Sequence, residues 1–210
     1  MQFLRLSLFI FAFVLSLNSF CQITTSPDTN YYNQGLKSYQ KRECSDAISF
    51  FNTAISYNQK YVEAYLSRAY AKKYLGDNYG AISDLQKCIY FSSDKEILES
   101  VYSLRAGIKR DQGNFEGAIS DYTKCIEIDP FSWAVYTQRG YTKELLGDWE
   151  GAISDYTKCI EINPGDWVTI KFRGLLKIEN GQLESGCLDL SRVGEMGISL
   201  AYDLIKEHCN

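Results

Sequence analysis

The stretch GAISDYTKCIEIDP at residues 117–130 recurs almost unchanged as GAISDYTKCIEINP at residues 151–164. Shorter related copies are DAIS at residues 46–49, GAISD at residues 80–84 and a weaker GCLD at residues 186–189. The alanines of the four clear copies lie 34, 37 and 34 residues apart, at Ala47, Ala81, Ala118 and Ala152. Self-similarity at such a period indicates a protein built by stacking copies of one small structural unit.

Each unit contains two stretches with helical spacing. In the fourth unit, Tyr136 and Gly140 lie four residues apart in the first stretch, and Ile153 and Tyr156 lie three apart in the second. A Gly-Asp pair between the stretches breaks the helix and supplies an N-cap for the next one. One such helix pair cannot bury its apolar face alone, so the pattern predicts an all-α helix-turn-helix solenoid. The longer spacing of 37 places three extra residues before Glu99, and we expect them to lengthen the last helix of the second unit or its loop.

The composition excludes several classes of function. The hydrophobic fraction is 45%, which suits a folded core, and the single histidine, His208, argues against a histidine-based catalytic triad or a metal site of several imidazoles. The net charge is −4, so there is no basic excess for nucleic-acid binding. The phosphate-loop, dinucleotide, zinc-protease and CxxC motifs do not occur. We therefore predict that the protein is not an enzyme and uses no metal, cofactor or nucleic-acid partner.

Residues 1–21 have the features of a secretory signal peptide. A basic residue precedes an apolar run at residues 6–17, and small side chains follow at Ser19 and Cys21, where a signal peptidase needs them. The run is too short to span a bilayer, and no other segment is long and apolar enough to do so. We expect export to the periplasm or beyond, with cleavage after Cys21. The alternative is lipoprotein anchoring at Cys21, which the bulky Phe20 disfavours.

The repeats resemble the tetratricopeptide repeat (TPR) family. The small eighth residue of that repeat is matched by Gly35, Ala69, Ala106, Gly140 and Gly174, and the small twentieth residue by Ala47, Ala81, Ala118, Ala152 and Gly186. The resemblance covers about residues 28–198 and implies a right-handed superhelix. It implies a single TPR domain at 22–210, with repeats at about 28–61, 62–98, 99–132, 133–166 and 167–198 and a capping helix at 199–209.

Two charged positions recur together in units two to five. The seventh position holds Arg68, Arg105, Arg139 and Arg173, and the twenty-third holds Asp84, Asp121, Asp155 and Asp189. These positions lie at the same height on the two antiparallel helices of a unit, and the first unit has lost both charges, with Gln34 and Phe50 there. We predict a partly buried, bidentate Arg–Asp ion pair in each unit. The alternative is two independent surface charges.

The seven cysteines fall into different groups. Cys88, Cys125 and Cys159 occupy the same repeat position, which indicates small buried apolar side chains, and positions a repeat apart are too distant to share a metal ion. Small exported TPR proteins often end with a similar Gly-Cys…Cys pattern. That resemblance supports a disulfide between Cys187 and Cys209, and two free thiols are the open alternative.

In TPR arrays the first helices of the repeats line a concave groove. The resemblance places these residues in a partner-binding groove: Tyr32, Tyr39, Leu66, Tyr70, Lys73, Tyr74, Arg110, Thr137, Tyr141 and Glu144. Aromatic and aliphatic anchors among a few charges suit an extended peptide or a helix. The alternative is that some of these rings pack between neighbouring first helices. The Lys-Asn-Arg clamp that chaperone-binding relatives use for a terminal carboxylate is not matched, since Tyr32 and Leu66 depart from it.

The sequence thus predicts a non-catalytic protein–protein interaction or scaffold module that binds a peptide or helix in its groove. One alternative is a lipid-anchored structural component of a cell-envelope assembly. Another is an enzyme or sugar-binding protein that uses the groove aromatics.

Overall fold

The computed structural model describes residues 26–209, and within that range all regular secondary structure is helical. The helices are α1 (Pro27–Gln40), α2 (Cys44–Tyr57), α3 (Val62–Tyr74), α4 (Asn78–Phe91), α5 (Lys95–Asp111), α6 (Phe115–Ile128), α7 (Trp133–Leu146), α8 (Trp149–Ile162), α9 (Trp167–Glu179), α10 (Leu183–Glu195) and α11 (Leu200–His208). The signal peptide predicted at residues 1–21 and the alternative lipidation site at Cys21 lie outside the described residues. Across residues 26–209, no helix combines the length and hydropathy needed to cross a membrane.

The described residues divide into two compact units, 26–61 and 62–209. In the first unit, α1 and α2 form one helical hairpin. In the second unit, α3–α4, α5–α6, α7–α8 and α9–α10 form successive hairpins, each packed on the next, and α11 packs on α10. The predicted all-α solenoid of helix-turn-helix units with a C-terminal capping helix is confirmed.

The turn inside each hairpin follows from a few residues. Between α7 and α8, Gly147 has φ +86°, a left-handed conformation that glycine adopts without a Cβ penalty. The next residue, Asp148, caps α8 by accepting a hydrogen bond from the Gly151 N–H at 3.0 Å. A side chain at residue 151 would collide with the Asp148 carboxylate, which explains the glycine at this point of the turn.

Small residues let the two helices of a hairpin approach closely. A Cβ atom at Gly140 would lie 2.8 Å from the Tyr156 ring. The ring of Tyr156 on α8 therefore fills the space that a side chain at residue 140 on α7 would take. Tyr156 is fully buried, together with Ala152 and Leu176. The alternation of small and large residues at fixed repeat positions therefore sets the spacing of the helices.

The extra residues of the second unit lie in a different place from the one that we expected. Helix α4 ends at Phe91, and α5 begins at Lys95 and is 17 residues long, against 13 residues for α3. The Asp94 carboxylate caps α5 by accepting from the Glu96 and Ile97 amides at 2.9 and 3.1 Å. The prediction that the extra residues lengthen the last helix of the second unit or its loop is therefore wrong. They lie instead in the first turn of α5, because the Asp94 N-cap starts that helix at Lys95.

Helix α11 covers the apolar end of the second unit. Ala201 of α11 is buried in a cluster with Ile160, Ile170 and Val193. At the other end of α11, the Cα atoms of Cys209 and of Cys187 on α10 lie 5.9 Å apart, within the range for a disulfide. Both ends of α11 thus lie close to α10.

Candidate functional site

The structure brings each of the four arginines together with the aspartate of its own hairpin. In the fourth hairpin, Arg139 donates from Nε and Nη2 to the two carboxylate oxygens of Asp155 at 2.8 and 2.6 Å. The same bidentate geometry holds for Arg68–Asp84, Arg105–Asp121 and Arg173–Asp189. Asp155 is only 3% exposed, so the pair is made largely away from water.

A lysine that sequence reasoning missed binds the same carboxylate. The Nζ atom of Lys143 lies 2.8 Å from the Asp155 carboxylate. It also donates a hydrogen bond of 3.4 Å to the Gly151 carbonyl oxygen. Equivalent contacts of 2.8 to 2.9 Å join Lys72 to Asp84, Lys109 to Asp121 and Lys177 to Asp189. Each lysine follows its arginine by four residues, on the same face of the helix, so the recurrence was available in the sequence. Each of the four hairpins of the second unit therefore contains an Arg–Lys–Asp cluster.

Two of these clusters also join neighbouring hairpins. Arg139 Nη1 donates to the Thr123 hydroxyl of the preceding hairpin at 3.1 Å, and Arg173 Nη1 does the same with Thr157. The hydrogen bonds to Asp155 raise the pKa of Arg139 further above neutrality, against the opposing effect of burial. These side chains have all their charges engaged within the protein, so the clusters fix the packing of the hairpins and leave little for a ligand.

The buried cysteines of the repeats make weak hydrogen bonds to the backbone. The Cys88 thiol lies 3.5 Å from the Val62 carbonyl oxygen, and Cys125 lies 3.5 Å from that of Glu99. Burial raises the pKa of both thiols to about 12. They stay protonated at neutral pH, and a protonated buried thiol is neither a nucleophile nor a metal ligand.

Two of the predicted groove residues belong to the first compact unit. The Tyr32 ring packs against Phe51 and Tyr61, with ring centres 5.8 and 5.0 Å away. Tyr39 is partly buried on α1. The Tyr32 ring thus helps to hold the α1–α2 hairpin together.

Two further groove candidates link helices of the second unit. The Thr137 hydroxyl lies 3.0 Å from Cys159 Sγ and 3.0 Å from the Thr169 hydroxyl, which connects α7 with α8 and α9. Glu144 accepts a hydrogen bond of 2.7 Å from the hydroxyl of buried Tyr156. Burial and this hydrogen bond raise the pKa of Tyr156, so the tyrosine remains a donor. Both groove candidates thus have a role in packing.

The first helices of the second unit lie side by side and form one surface. From α5, Arg110 Nη1 donates to Gln138 on α7 at 2.5 Å, and its guanidinium lies 5.6 Å from the centre of the Tyr141 ring. From α3, the Lys73 ammonium lies 3.7 Å from the point where a Cβ atom of Gly107 on α5 would be. We call the surface defined by Tyr70, Lys73, Gly107, Arg110 and Tyr141 the first-helix face.

Two exposed tyrosines lie on the first-helix face, one on either side of Lys73 and Arg110. Tyr70 on α3 is 39% exposed and Tyr141 on α7 is 41% exposed. Tyr74 extends the exposed aromatic surface at the end of α3, and Leu66 is partly buried one turn before Tyr70. An open cavity of about 210 Å³ lies between α3 and α5, lined by Tyr70, Glu99, Ser100 and Ser103. The face thus combines aromatic side chains, cations and an adjacent depression.

Stacked helical hairpins joined by short turns define the class of α-helical repeat proteins, which present an extended binding surface. The tetratricopeptide repeat family model matches residues 62–95, 99–132 and 134–166. The chain belongs to the tetratricopeptide repeat family, whose fold is typical of protein–protein interaction scaffolds and whose members are generally non-catalytic.

Comparison with known proteins agrees with this assignment. Tetratricopeptide repeat protein 36 of Danio rerio is 39% identical over 62 residues, which are 30% of this chain and 33% of that protein. The match therefore spans about a third of the length of this relative. The solved structure of MamA from Desulfovibrio magneticus RS-1 has a TM-score of 0.74 at 12% identity and covers 82% of this chain and 96% of its own. YrrB, described as a TPR protein with an unusual peptide-binding site, has a TM-score of 0.70 at 13% identity and covers 84% and 90%. At these identities the two structures show a shared fold.

Proposed function

We propose that the protein is an exported, non-catalytic interaction module whose first-helix face binds a peptide or helical segment of another protein. The observation that carries the proposal is the exposure of Tyr70 and Tyr141 on two helices that flank α5. The general role of TPR proteins as scaffolds supports it, and so does the peptide-binding site for which YrrB is described.

Exposed tyrosines on a rigid helical surface suit protein recognition. A tyrosine presents a large apolar ring with few rotatable bonds and a polar tip, and such side chains are enriched among the residues that dominate interfaces. Removing the exposed part of one ring from water contributes about 1 to 2 kcal/mol at the usual free energy per unit of apolar area. Two such anchors, on the two helices that flank α5, supply part of the roughly 8 kcal/mol that micromolar binding needs, and further contacts supply the rest.

Truncation of the two anchors tests this proposal. Wild-type protein is used to select binders from a library of short random peptides, and the affinities of those binders are then measured. We expect the Tyr70→Ala, Tyr141→Ala double variant to bind the selected peptides about tenfold or more weakly, because both ring contacts are lost. The matched control is Tyr79→Ala, Tyr90→Ala on α4, which removes two tyrosines that are even more exposed, at 84% and 81%.

Two results would contradict the proposed function. One is a selection in which wild-type protein enriches no peptide. The other is an equal loss of affinity in the α3/α7 variant and the α4 control, because binding would then depend on exposed tyrosines in general. Thermal melting of both variants checks that they remain folded.

We further propose that the protein works in an oxidising compartment. The signal-like residues 1–21 support export, and so does the placement of Cys187 and Cys209 within disulfide distance, because structural disulfides persist outside the reducing cytosol. Helix α11 has nine residues, too few to be stable by itself, so its attachment to α10 depends on packing and on this link.

Removal of this link tests the second proposal. We expect the exported protein to contain a Cys187–Cys209 crosslink in non-reducing peptide mass spectrometry. We also expect the Cys187→Ser, Cys209→Ser variant to unfold with a free energy lower by about 3 kcal/mol, because the bond closes a loop with a sequence separation of 22. The double variant itself should be insensitive to reducing agents. Two free thiols in the exported protein would contradict the proposal.

A further inference from the structure

Lys73 differs from the other cations near the first-helix face. Arg110 is held by Asp111 at 3.2 Å and by Gln138, and Lys72 is bound to Asp84. Lys73, in contrast, forms no ion pair and no hydrogen bond within residues 26–209. Its ammonium lies over Gly107, a buried glycine of α5, at 3.7 Å from the place that a Cβ atom would take. The protein thus positions a positive charge on its binding surface without using it internally.

The acidic groups around this face already have partners. Asp111 pairs with Arg110, Glu144 accepts from Tyr156, and Glu99 accepts from the Ser132 hydroxyl at 3.3 Å. The exposed Glu63 on α3 is ten residues from Lys73, about 15 Å along the helix. Glu144 and Glu99 keep their negative charges, because their partners are neutral hydroxyls, but neither forms an ion pair with Lys73. Within residues 26–209, Lys73 therefore remains without an ion-pair partner, although the whole protein is acidic, with a net charge of −4.

We propose that Lys73 recognises an internal acidic side chain of the bound segment, an aspartate or glutamate with apolar residues on both sides. This inference rests on the proposed function of the first-helix face. Lys73 lies between Tyr70, on its own helix, and Tyr141, two first helices away, with Arg110 one helical turn beyond Gly107. A segment that contacts both tyrosines runs past Lys73 and places the middle of its chain there. The carboxylate in the middle then meets the lysine, and the neighbouring side chains meet the rings.

The chemistry of the face supports an acidic partner over a basic or purely apolar one. A carboxylate that approaches Lys73 forms a charge-assisted hydrogen bond, which is stronger than a neutral one. Arg110, one turn away, is paired with Asp111 at 3.2 Å, so Lys73 supplies the unpaired positive charge of this part of the face. A basic segment would be repelled by the Lys73 ammonium, and an apolar segment would remove Lys73 from water without replacing its hydration.

Peptide selection with defined probes tests this inference. Two libraries of short random peptides are used, one with free and one with amidated C-termini. We expect both libraries to yield peptides with an Asp or Glu between apolar residues. We expect Lys73→Met to lower their affinity about tenfold, the effect of losing one hydrogen bond to a charged group. The control Lys87→Met removes an exposed lysine of α4 and should leave the affinity unchanged. Added salt should weaken binding to wild type more than to Lys73→Met.

Charge reversal makes the test specific. Lys73→Glu should lose the selected peptides and bind variants of them in which the acid is replaced by lysine. The inference is overturned if the enriched peptides lack acids, if binding requires a free C-terminal carboxylate, or if Lys73→Met binds as well as wild type. In each of these outcomes, the proposed function is still supported if the Tyr70→Ala, Tyr141→Ala double variant loses binding to the selected peptides. If neither library yields any binder, the proposed function itself is contradicted.

Discussion

Replacing Asp155 with asparagine is expected to lower the free energy of unfolding by about 3 kcal/mol or more, because it leaves two cations without their shared anion. Asp155 is almost completely buried and accepts two hydrogen bonds from Arg139 while it also pairs with Lys143. Asparagine has nearly the same shape, so the packing of α7 against α8 is kept and the charge alone is changed. Urea-induced unfolding followed by circular dichroism measures the difference.

The matched control is an ion pair on the same helix. Glu161 pairs with Lys158 at 2.9 Å on the exposed side of α8, and both side chains are at least half exposed. Glu161→Gln should change stability by less than about 1 kcal/mol, since exposed pairs contribute little. If Asp155→Asn costs no more than Glu161→Gln, the Arg–Lys–Asp cluster is not a structural element of the hairpin. Arg139→Met should fall between the two, because Lys143 still pairs with Asp155 in that variant.

The second large effect is expected at Gly186. A Cβ atom there would lie 2.5 Å from the Gly174 carbonyl oxygen and 2.6 Å from Ile178 Cγ1, so α9 and α10 would have to move apart. Gly186→Ala should therefore lower the free energy of unfolding by about 2 to 3 kcal/mol, the usual range for overpacking a close contact. This result runs against the repeat pattern, in which the other four units have alanine at this position.

Gly107 provides the opposite case. An added Cβ atom would meet only the Lys73 ammonium, at an ordinary contact distance of 3.7 Å, so Gly107→Ala introduces no clash. Because glycine in a helix interior is less stable than alanine by about 0.5 to 1 kcal/mol, this substitution should stabilise the protein slightly. Equal effects of the two substitutions in urea unfolding would contradict the described packing of α9 against α10.

The repeat pattern was sufficient to predict the fold. Copies of one apolar pattern, with a small residue where two helices approach and a Gly-Asp turn between them, leave few alternatives to a stack of hairpins. The Arg–Asp ion pairs could also be predicted from the repeat pattern. The predicted turn between the two helices of a unit places the arginine and aspartate positions at the same height on these helices. Lys143 could have been added from its spacing to Arg139, as the same pair recurs in four hairpins.

The binding surface was harder to predict because repeat position alone does not say which side chains find partners. Thr137 and Glu144 have groove positions, yet they form hydrogen bonds to Cys159 and Tyr156 of their own hairpin. The position of the extra residues before Glu99 depended on one N-cap, Asp94, which competes locally with continuation of α4. These hydrogen bonds and the place of the extra residues depend on local contacts, which the repeat spacing of the sequence does not reveal.

Photo-crosslinking of a selected peptide tests the central claim most directly, namely that a partner segment binds the first-helix face. A peptide from the random library, carrying a diazirine group, is bound to the protein and irradiated, and the crosslinked residues are located by mass spectrometry. The account predicts adducts on α3, α5 and α7, close to Tyr70, Lys73 and Tyr141. Adducts confined to the second helices α4, α6 and α8 would contradict it.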